Sequence, residues 1–304
     1  MVWLYVTVGL PGSGKSSLYE KVYSNCKYIS SDSIREKVFG DINDQSHNNE
    51  VFNLMENRTV EALLNYESVY YDATNISAKR RINFIKEIRQ RCKSIDDLEI
   101  VCVLVAPPLE LVKKWNAARE RKVPEYVIDR MLRNFEVPHW SEGFDEIYLY
   151  RYENGRNLEN MLFQLRNVPH DNPHHHLPIG PHMCAAREYY KFECMDDFNR
   201  RIDPRIVKAA QYHDIGKGYC KVFKNSKGEP TEIAHYYNHE NVGAYFYLSN
   251  SKGDDIEDLY IANLIQHHMD YWKGEKYMEK ISKRFGELFM LDLDCLHRAD
   301  LGAH

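Results

Sequence analysis

Two groups of residues able to do chemistry lie in different parts of the 304-residue chain. The first is Gly9-Leu10-Pro11-Gly12-Ser13-Gly14-Lys15-Ser16, a full match to the pattern G-x-x-x-x-G-K-[ST]. The second is a series of histidines and aspartates in the C-terminal half, which holds twelve of the 14 histidines. The types and spacing of these residues predict a phosphate-binding loop and a separate metal site.

The glycine-rich segment is expected to bind ATP and Mg²⁺. Its glycines allow backbone N–H groups to surround phosphate oxygens, and the helix that follows adds partial positive charge. Lys15 would reach the β- and γ-phosphates, and the Ser16 hydroxyl would ligate Mg²⁺. The residues predicted to contact the nucleotide in this segment are Gly9, Pro11, Gly12, Ser13, Gly14, Lys15, Ser16 and Ser17.

Further charged residues favour phosphoryl transfer over simple binding. Asp32 follows the second strand-like run and could take the proton of an attacking hydroxyl, while Arg35 could hold a phosphate of the acceptor. Asp32 could also be a helix N-cap, a role compatible with catalysis. Asp72 ends the third run, where it can reach the metal or orient the loop. Arg119 and Arg121, at a basic helix end, suit a lid that neutralises the transferring phosphoryl group, with Arg119 the first choice.

The histidines of the second group occur in an ordered series with acidic residues. His182, His213-Asp214, His239-Glu240, His267-His268 and Asp300 follow one another through segments with helical periodicity. Two histidines with an aspartate and a distant carboxylate form a mixed nitrogen and oxygen ligand set that leaves positions open for water and phosphate. The triplet His174-His175-His176 is, by contrast, expected to be an exposed loop.

The periodicity predicts elements that can position both groups. Strand-like runs at Val2–Val8, Lys27–Ser30, Ser68–Tyr71, Leu98–Ala106 and Glu146–Tyr150 alternate with helical segments, which predicts a mostly parallel sheet with helices on both faces. Beyond a segment rich in turn formers the pattern is helical throughout. The predicted organisation is an α/β domain over residues 1–152, a linker over 153–172 and an all-α domain over 173–304.

Composition excludes several classes of protein. With 40 basic and 45 acidic side chains, the protein has a net charge of −5. This excludes binding of nucleic acid through the overall charge of the protein, so any such binding must use a local groove. No apolar run approaches the ~20 residues of a membrane span. Seven cysteines without a C-x-x-C pair, and an N-terminus without signal-peptide features, predict a location in the reducing cytoplasm.

The motifs of residues 1–150 resemble those of P-loop polynucleotide 5′-hydroxyl kinases. The resemblance runs in order through GLPGSGKS, SSDSIREKVFGD, YYDATN, RERKVPEYVIDRMLRNFE and EGFDEIYLY. It implies transfer of the γ-phosphate of ATP to a 5′-hydroxyl, with Asp32 as general base, Arg35 on the acceptor and Arg119 as the lid arginine. The third run ends Asp-Ala-Thr-Asn, which argues against a mechanical P-loop ATPase.

Residues 170–304 resemble the HD-domain metal-dependent phosphohydrolases. The resemblance implies that His182, His213, Asp214 and Asp300 bind one divalent ion, such as Mn²⁺, Ni²⁺, Co²⁺ or Fe²⁺. It also implies that His239 and His268 hold a second ion or contact the scissile phosphate, with Lys217 contacting phosphate. His267 is the alternative to His268.

Together the two resemblances imply a bifunctional enzyme that heals nucleic-acid ends. One half would phosphorylate a 5′-OH end, and the other would remove a 2′,3′-cyclic, 2′- or 3′-phosphate, with RNA favoured over DNA. No nucleotidyl-transferase lysine motif is present, so a separate ligase is the expected partner, and no membrane is involved. Two alternatives remain: a small-molecule or nucleoside kinase fused to a nucleotide phosphohydrolase, and a nucleotide-sensing regulator with weak catalysis.

Overall fold

The computed structural model describes residues 1–152, 157–173, 175–192 and 202–303. Within it the chain forms two compact units. The first consists of Met1–Ile128 and Pro138–Arg151, and the second of Asp129–Val137 with the described part of Tyr152–His304. The chain therefore leaves the first unit for a nine-residue segment and returns to it before entering the second unit for good.

The first unit is built on a five-stranded parallel sheet, and every strand lies where the β-branched and aromatic runs predict it, within one residue at each end. The strands are β1 (Val2–Val8), β2 (Lys27–Ser30), β3 (Val69–Asp72), β4 (Leu98–Val105) and β5 (Glu146–Tyr150), in the spatial order β2-β3-β1-β4-β5. The central strands β1 and β4 are almost completely buried, which is typical of parallel strands covered on both faces.

Helices connect these strands in the crossover manner that parallel pairing requires. They are α1 (Lys15–Leu18), α2 (Ser31–Ile34), α3 (Asn48–Leu64), α4 (Ala78–Arg91), α5 (Leu109–Ala118) and α6 (Glu125–Arg133), with a 3₁₀ turn at Trp140–Glu142. The helix predicted from Lys15 to about Asn25 is in fact α1 followed by a π-helical turn at Tyr19–Tyr23, and a second π-helical turn, Arg35–Phe39, follows α2. The fold is an α/β fold with a parallel sheet and a phosphate loop at the end of β1.

The described part of the second unit is mostly helical. Its helices are α7 (Leu158–Gln164), α8 (Ile179–Phe192), α9 (Pro204–Tyr212), α10 (Lys217–Cys220), α11 (His239–Asn250), α12 (Asp255–His267), α13 (Glu275–Phe285) and α14 (Glu287–Leu301), with a 3₁₀ turn at Asp270–Lys273. The core lies between α8, α9, α11, α12 and α14, whose facing residues include Met183, Ala210, Leu248 and Leu264, all fully buried.

The second unit differs from the predicted all-α domain by a β-hairpin. Strands β6 (Val222–Lys224) and β7 (Pro230–His235) pair in antiparallel fashion. The Asn225 side chain accepts hydrogen bonds from the backbone N–H groups of Lys227 and Glu229, and Gly228 supplies a left-handed φ of 84°. Turn-forming residues thus reverse the chain where helical periodicity is absent.

The predicted domain limits, with a linker over residues 153–172, stay a prediction. The compact units divide the chain at other positions, because Asp129–Val137 belongs to the second unit. Part of the predicted linker, residues 153–156, and His174 of the histidine triplet lie outside the described residues. Over the described ranges, no helix is both long and apolar enough to cross a bilayer.

Candidate phosphate-binding loop and metal centre

The glycine-rich loop joins β1 to α1 with the backbone geometry that glycine permits. Gly12 and Gly14 have φ of 80° and 94° in the left-handed region, which side chains rarely adopt. A Cβ on Gly9 would lie 2.6 Å from the carbonyl oxygen of Val105 on the neighbouring strand. Pro11, Gly12 and Gly14 are half-buried, Ser13 is buried and Ser17 is exposed. The loop is thus packed against the sheet, with its next turn open to solvent.

The ammonium group of Lys15 lies inside this loop. Its Nζ donates to the carbonyl oxygens of Leu10 at 2.8 Å and Gly9 at 3.2 Å. Burial lowers the pKa of Lys15, while the carboxylates of Asp72 and Asp32 oppose that shift and the Arg119 guanidinium adds to it. The charges of two other predicted catalytic groups, Asp32 and Arg119, therefore act on Lys15 in the phosphate loop.

Asp72 lies at the end of β3, beside the first turn of α1. Its Oδ2 atom accepts hydrogen bonds from the Ser16 hydroxyl at 3.0 Å and from the Tyr28 hydroxyl at 2.6 Å. Asp72 is buried, at 6% exposure. A serine hydroxyl next to a carboxylate offers the oxygen ligands that Mg²⁺ prefers, so the residues present fit this ion.

Asp32 lies in the first turn of α2 between two arginines. Arg121 Nη1 is 2.5 Å from its Oδ2 atom and Arg35 Nη1 is 3.5 Å from its Oδ1 atom. The N-cap of α2 is Ser30, whose side chain accepts the N–H of Ser33 at 3.4 Å. The alternative role of Asp32 as the N-cap is therefore taken by Ser30, and the carboxylate of Asp32 faces cationic groups instead.

Arg35 is buried, although it carries a charge. Its Nη2 atom donates to the Asn48 side chain at 2.6 Å, while Nε has no hydrogen-bond partner. Burial lowers the pKa of Arg35 and Asp32 opposes that shift. A buried guanidinium with an unused donor next to a carboxylate suits recognition of an anionic group.

The lid predicted around Arg119 is a loop closed at its base. The side chain of buried Asn116 donates to the carbonyl oxygen of Val123 at 2.8 Å and accepts its N–H at 2.9 Å. Arg119, within this loop, is exposed, whereas Arg121 is half-buried and also donates to Asn43 at 2.9 Å. Asn116 could not be identified from the sequence, because its helical position carries no signal of this pairing.

In the second unit, the four residues predicted to hold one ion lie together. Nε2 of His182 is 2.9 Å from Oδ1 of Asp300, and Nε2 of His213 is 3.2 Å from the same atom. Asp214 Oδ2 lies 3.3 Å from His213 Nε2 and 3.6 Å from His182 Nε2. One ligand atom from each of the four residues falls within 4.8 Å of the others, a spacing compatible with a shared metal ion.

A second group shares Asp214 with the first. Nε2 of His239 is 3.1 Å from Asp214 Oδ1, and Nε2 of His268 is 3.6 Å from the same atom. All three residues are buried. The neighbouring His267 instead pairs with Asp270 at 2.5 Å, so the geometry favours His268 over His267 as a ligand. Among the four histidines of the two groups, the two oxygens of Asp214 thus face different pairs.

Each of these four histidines is oriented by a backbone carbonyl. The Nδ1 atoms lie 2.7–2.9 Å from the carbonyl oxygens of Ala303, Ala210, Tyr236 and Ile265, for His182, His213, His239 and His268 respectively. Because a carbonyl can only accept, each Nδ1 atom donates its proton to that carbonyl, and Nε2 is the ring atom that faces the cluster. This is the arrangement by which metal-binding histidines are usually held.

The electrostatics of the cluster favour a cation. Burial opposes protonation of His213, but Asp214 and Asp300 outweigh it and raise its pKa to about 10. Burial likewise opposes ionisation of Asp214, yet Lys217 and His213 hold the pKa of that carboxyl well below its usual range. Nε2 of His213 and Oδ1 of Asp214 are buried without a hydrogen bond. Buried nitrogen and oxygen donors of this kind fit a divalent transition-metal ion.

Lys217 lies beside Asp214 and contacts two histidines that are not among the metal ligands predicted from the sequence. Its Nζ is 2.6 Å from Asp214 Oδ2, 3.4 Å from Nε2 of His170 and 3.3 Å from Nε2 of His175. His170 is 2% exposed and comes from the predicted linker. The ring of His175 stacks on that of His170, with centroids 4.1 Å apart, and His175 is half-buried. Of the two described members of the triplet, only His176 is exposed as expected.

Comparison with known proteins supports the fold of the first unit. A family model described as an AAA domain matches residues 4–138. That range contains the phosphate loop, most of β1 and all of β2, β3 and β4, in agreement with a P-loop, kinase-like α/β fold. A search of curated proteins gave no match.

Similarity to solved structures is limited. A chain of the Pnkp1/Rnl/Hen1 RNA repair complex is 22% identical with a TM-score of 0.35, over 44% of this chain and 43% of its own. A fungal RNA kinase is 14% identical with a TM-score of 0.37, over 69% and 48%. A gluconokinase from Sinorhizobium meliloti 1021 is 17% identical with a TM-score of 0.31, over 44% and 75%. The chain thus spans less than half the length of the first two.

Proposed function

We propose that this chain is a bifunctional nucleic-acid end-healing enzyme. The first unit phosphorylates a 5′-OH polynucleotide end with ATP and Mg²⁺. The second unit removes a 2′,3′-cyclic, 2′- or 3′-phosphate with a divalent transition metal. The two products, a 5′-phosphate and a 3′-OH, are the ends that a separate ligase joins, and RNA is favoured over DNA.

The kinase proposal is carried by the position of Asp32 between Arg35 and Arg121. An acceptor hydroxyl next to Asp32 would find a carboxylate to take its proton, and Arg35 would bind the adjacent phosphate of the acceptor. Lys15 contacts the nucleotide phosphates, while Ser16 and Asp72 hold Mg²⁺. Arg119 provides the lid contact to the transferring group, and Arg121 orients Asp32. The choice of a polynucleotide acceptor follows from the motifs of residues 1–150.

The experiment for the kinase compares labelling of a 5′-OH oligonucleotide with labelling of free nucleosides from ATP. Labelling of mononucleosides alone would contradict end healing and favour a nucleoside kinase. Asp32→Asn should lower kcat about 10²–10⁴-fold while ATP still binds. The exposed Asp96→Asn, in the same unit, is the matched control. Full activity of the Asp32 variant would exclude this residue as the general base.

The phosphohydrolase proposal is carried by the four Nε2 atoms directed at Asp214 and Asp300. His182, His213, Asp214 and Asp300 hold one ion, and His239 and His268 hold a second one with Asp214 or contact the phosphate. The metal supplies a polarised phosphoryl oxygen and a water of lowered pKa. Lys217, fixed against Asp214, places a positive charge beside an anionic substrate.

The experiment for the second unit is hydrolysis of cyclic, 2′- and 3′-phosphate ends with Mn²⁺, Ni²⁺, Co²⁺, Fe²⁺ or Mg²⁺. Asp214→Asn should remove this activity and leave oligonucleotide phosphorylation within about twofold, because the two reactions use different residues. Glu232→Asn, an exposed substitution in β7, is the control. Absence of turnover with every metal, alongside ATP binding without transfer, would instead favour a nucleotide-sensing regulator.

A further inference from the structure

Tyr28 contacts the carboxylate assigned to the magnesium site, although it belongs to none of the motifs discussed above. Its hydroxyl donates to Oδ2 of Asp72 at 2.6 Å, and the Ser16 hydroxyl donates to the same oxygen at 3.0 Å. Asp72 is therefore held by one residue of the phosphate loop and by one residue of a neighbouring strand.

The register of the sheet explains why a long side chain is needed at this position. In the β2–β3 pairing Tyr28 lies opposite Tyr70, and Ser30 lies opposite Asp72. Tyr28 is thus two residues away from Ser30, the partner of Asp72, so the side chains of Tyr28 and Asp72 lie on the same face and only a long side chain at position 28 reaches the carboxylate. A smaller residue at position 28 could not touch the carboxylate.

Packing fixes the ring of Tyr28. It stacks on Tyr19, in the turn after α1, with centroids 4.4 Å apart and an angle of 29°. Since an ionised carboxylate can only accept hydrogen bonds, the Tyr28 hydroxyl is the donor in its bond to Asp72. Nearby, the hydroxyl of Tyr70 donates to the backbone oxygen of Lys15 at 2.8 Å. This layer of tyrosines supports both the phosphate loop and Asp72.

We infer that Tyr28 is a positioning residue for the magnesium ion of the bound nucleotide, acting through Asp72. With one oxygen of the carboxylate fixed by Tyr28, the carboxylate keeps one orientation toward the ion and toward Ser16. Loss of such a partner of a metal ligand typically weakens metal affinity by about 10–100-fold. The inference rests on the proposed binding of ATP and Mg²⁺ by the first unit.

The test is a titration of Mg²⁺ into the full chain with a fluorescent ADP analogue, read as nucleotide affinity with and without the metal. Tyr28→Phe keeps the stacked ring and removes the hydroxyl, so the Mg²⁺ concentration for half-saturation should rise about tenfold or more. Binding of the metal-free nucleotide should be unchanged. Tyr150→Phe is the matched control, since its hydroxyl bonds only to Tyr23 among the described contacts, at 2.7 Å.

Three results would overturn the inference. The first is an unchanged Mg²⁺ requirement in the Tyr28 variant, and the second is an equal rise of that requirement in the Tyr150 variant. The third is an equal loss of metal-free nucleotide binding in the Tyr28 variant, which would mean that Tyr28 only builds the loop. If the wild-type chain transfers no phosphate while the Mg²⁺ difference persists, the proposed kinase function fails and the role of Tyr28 stands.

Discussion

Asp214 is the residue on which the second site is centred, because its two oxygens face two different pairs of histidines. Oδ2 lies near His182 and His213, and Oδ1 lies near His239 and His268. All four rings are fixed by backbone carbonyls, so their Nε2 atoms converge without rearrangement. A carboxylate in this position can bridge two ions, which the dipeptide His213-Asp214 alone does not reveal.

This arrangement predicts the number of metal ions and how one substitution changes it. The wild-type chain should bind two Mn²⁺ ions, and His239→Gln should bind one, because the proposed ligands His182, His213 and Asp300 are untouched. The measurement is the metal content of the purified protein after equilibration and gel filtration. His176→Gln, which changes an exposed histidine, should retain two. A single ion in the wild type, kept by the His239 variant, would contradict the bridging role of Asp214.

The secondary-structure elements show what a sequence can and cannot predict here. The five strands were predictable because β-branched and aromatic runs are bounded by turn formers, and the phosphate loop because its motif is local. The hairpin β6–β7 was also signalled locally, by Asn225 and Gly228, but helical periodicity on either side obscured it. His170, Asn116 and Tyr28 could not be identified, since each acts through a partner that only the folded register brings near.

Close packing of two elements at the candidate metal centre leads to a second prediction. Gly216 follows the His213-Asp214 pair, and a Cβ there would lie 2.1 Å from the carbonyl oxygen of His239 and 2.6 Å from the backbone N of Gly243. Gly216→Ala should therefore push α11 away, destabilise the chain by about 1–3 kcal/mol and weaken binding of the ion that uses His239. Thermal unfolding and metal titration measure the two effects.

Gly218→Ala, in the short helix α10 whose N-cap is Gly216, provides the control for this prediction. A Cβ at Gly218 would meet only the terminal atoms of the flexible Leu165 side chain, at 2.5 Å. The change in stability should stay within about 1 kcal/mol, since alanine also has the higher helix propensity. Equal losses of metal affinity in both variants would show that close approach at Gly216 is not what places His239.

At the scale of the whole molecule, the path of the chain, more than the order of its motifs, decides which residues belong to each compact unit. Residues 129–137 lie within the range matched by the AAA family model, yet they pack in the second unit. The side chain of Gln266 accepts the N–H of Val137 at 2.9 Å and donates to the carbonyl oxygen of Phe135 at 2.8 Å. The Phe135 ring packs edge-on against Tyr245, with centroids 5.2 Å apart. A domain boundary placed near residue 152 from the motifs alone therefore separates residues 129–137 from the residues of the second unit that they contact.

A fragment of residues 1–152 tests this directly. Leu132, Phe135 and Val137 are fully buried in the chain, and burial of each such side chain contributes about 1.5–3 kcal/mol. In the fragment they lose the residues of the second unit that cover them, so it should aggregate and bind a hydrophobic dye more strongly than the full chain does. Phe135→Ser should destabilise the full chain, which is measured as a lower unfolding temperature. In the fragment the same substitution should be beneficial, because it removes an uncovered apolar ring and so increases solubility. A fragment that is monomeric, binds ATP like the full chain and is indifferent to Phe135→Ser would show that this segment folds without the second unit.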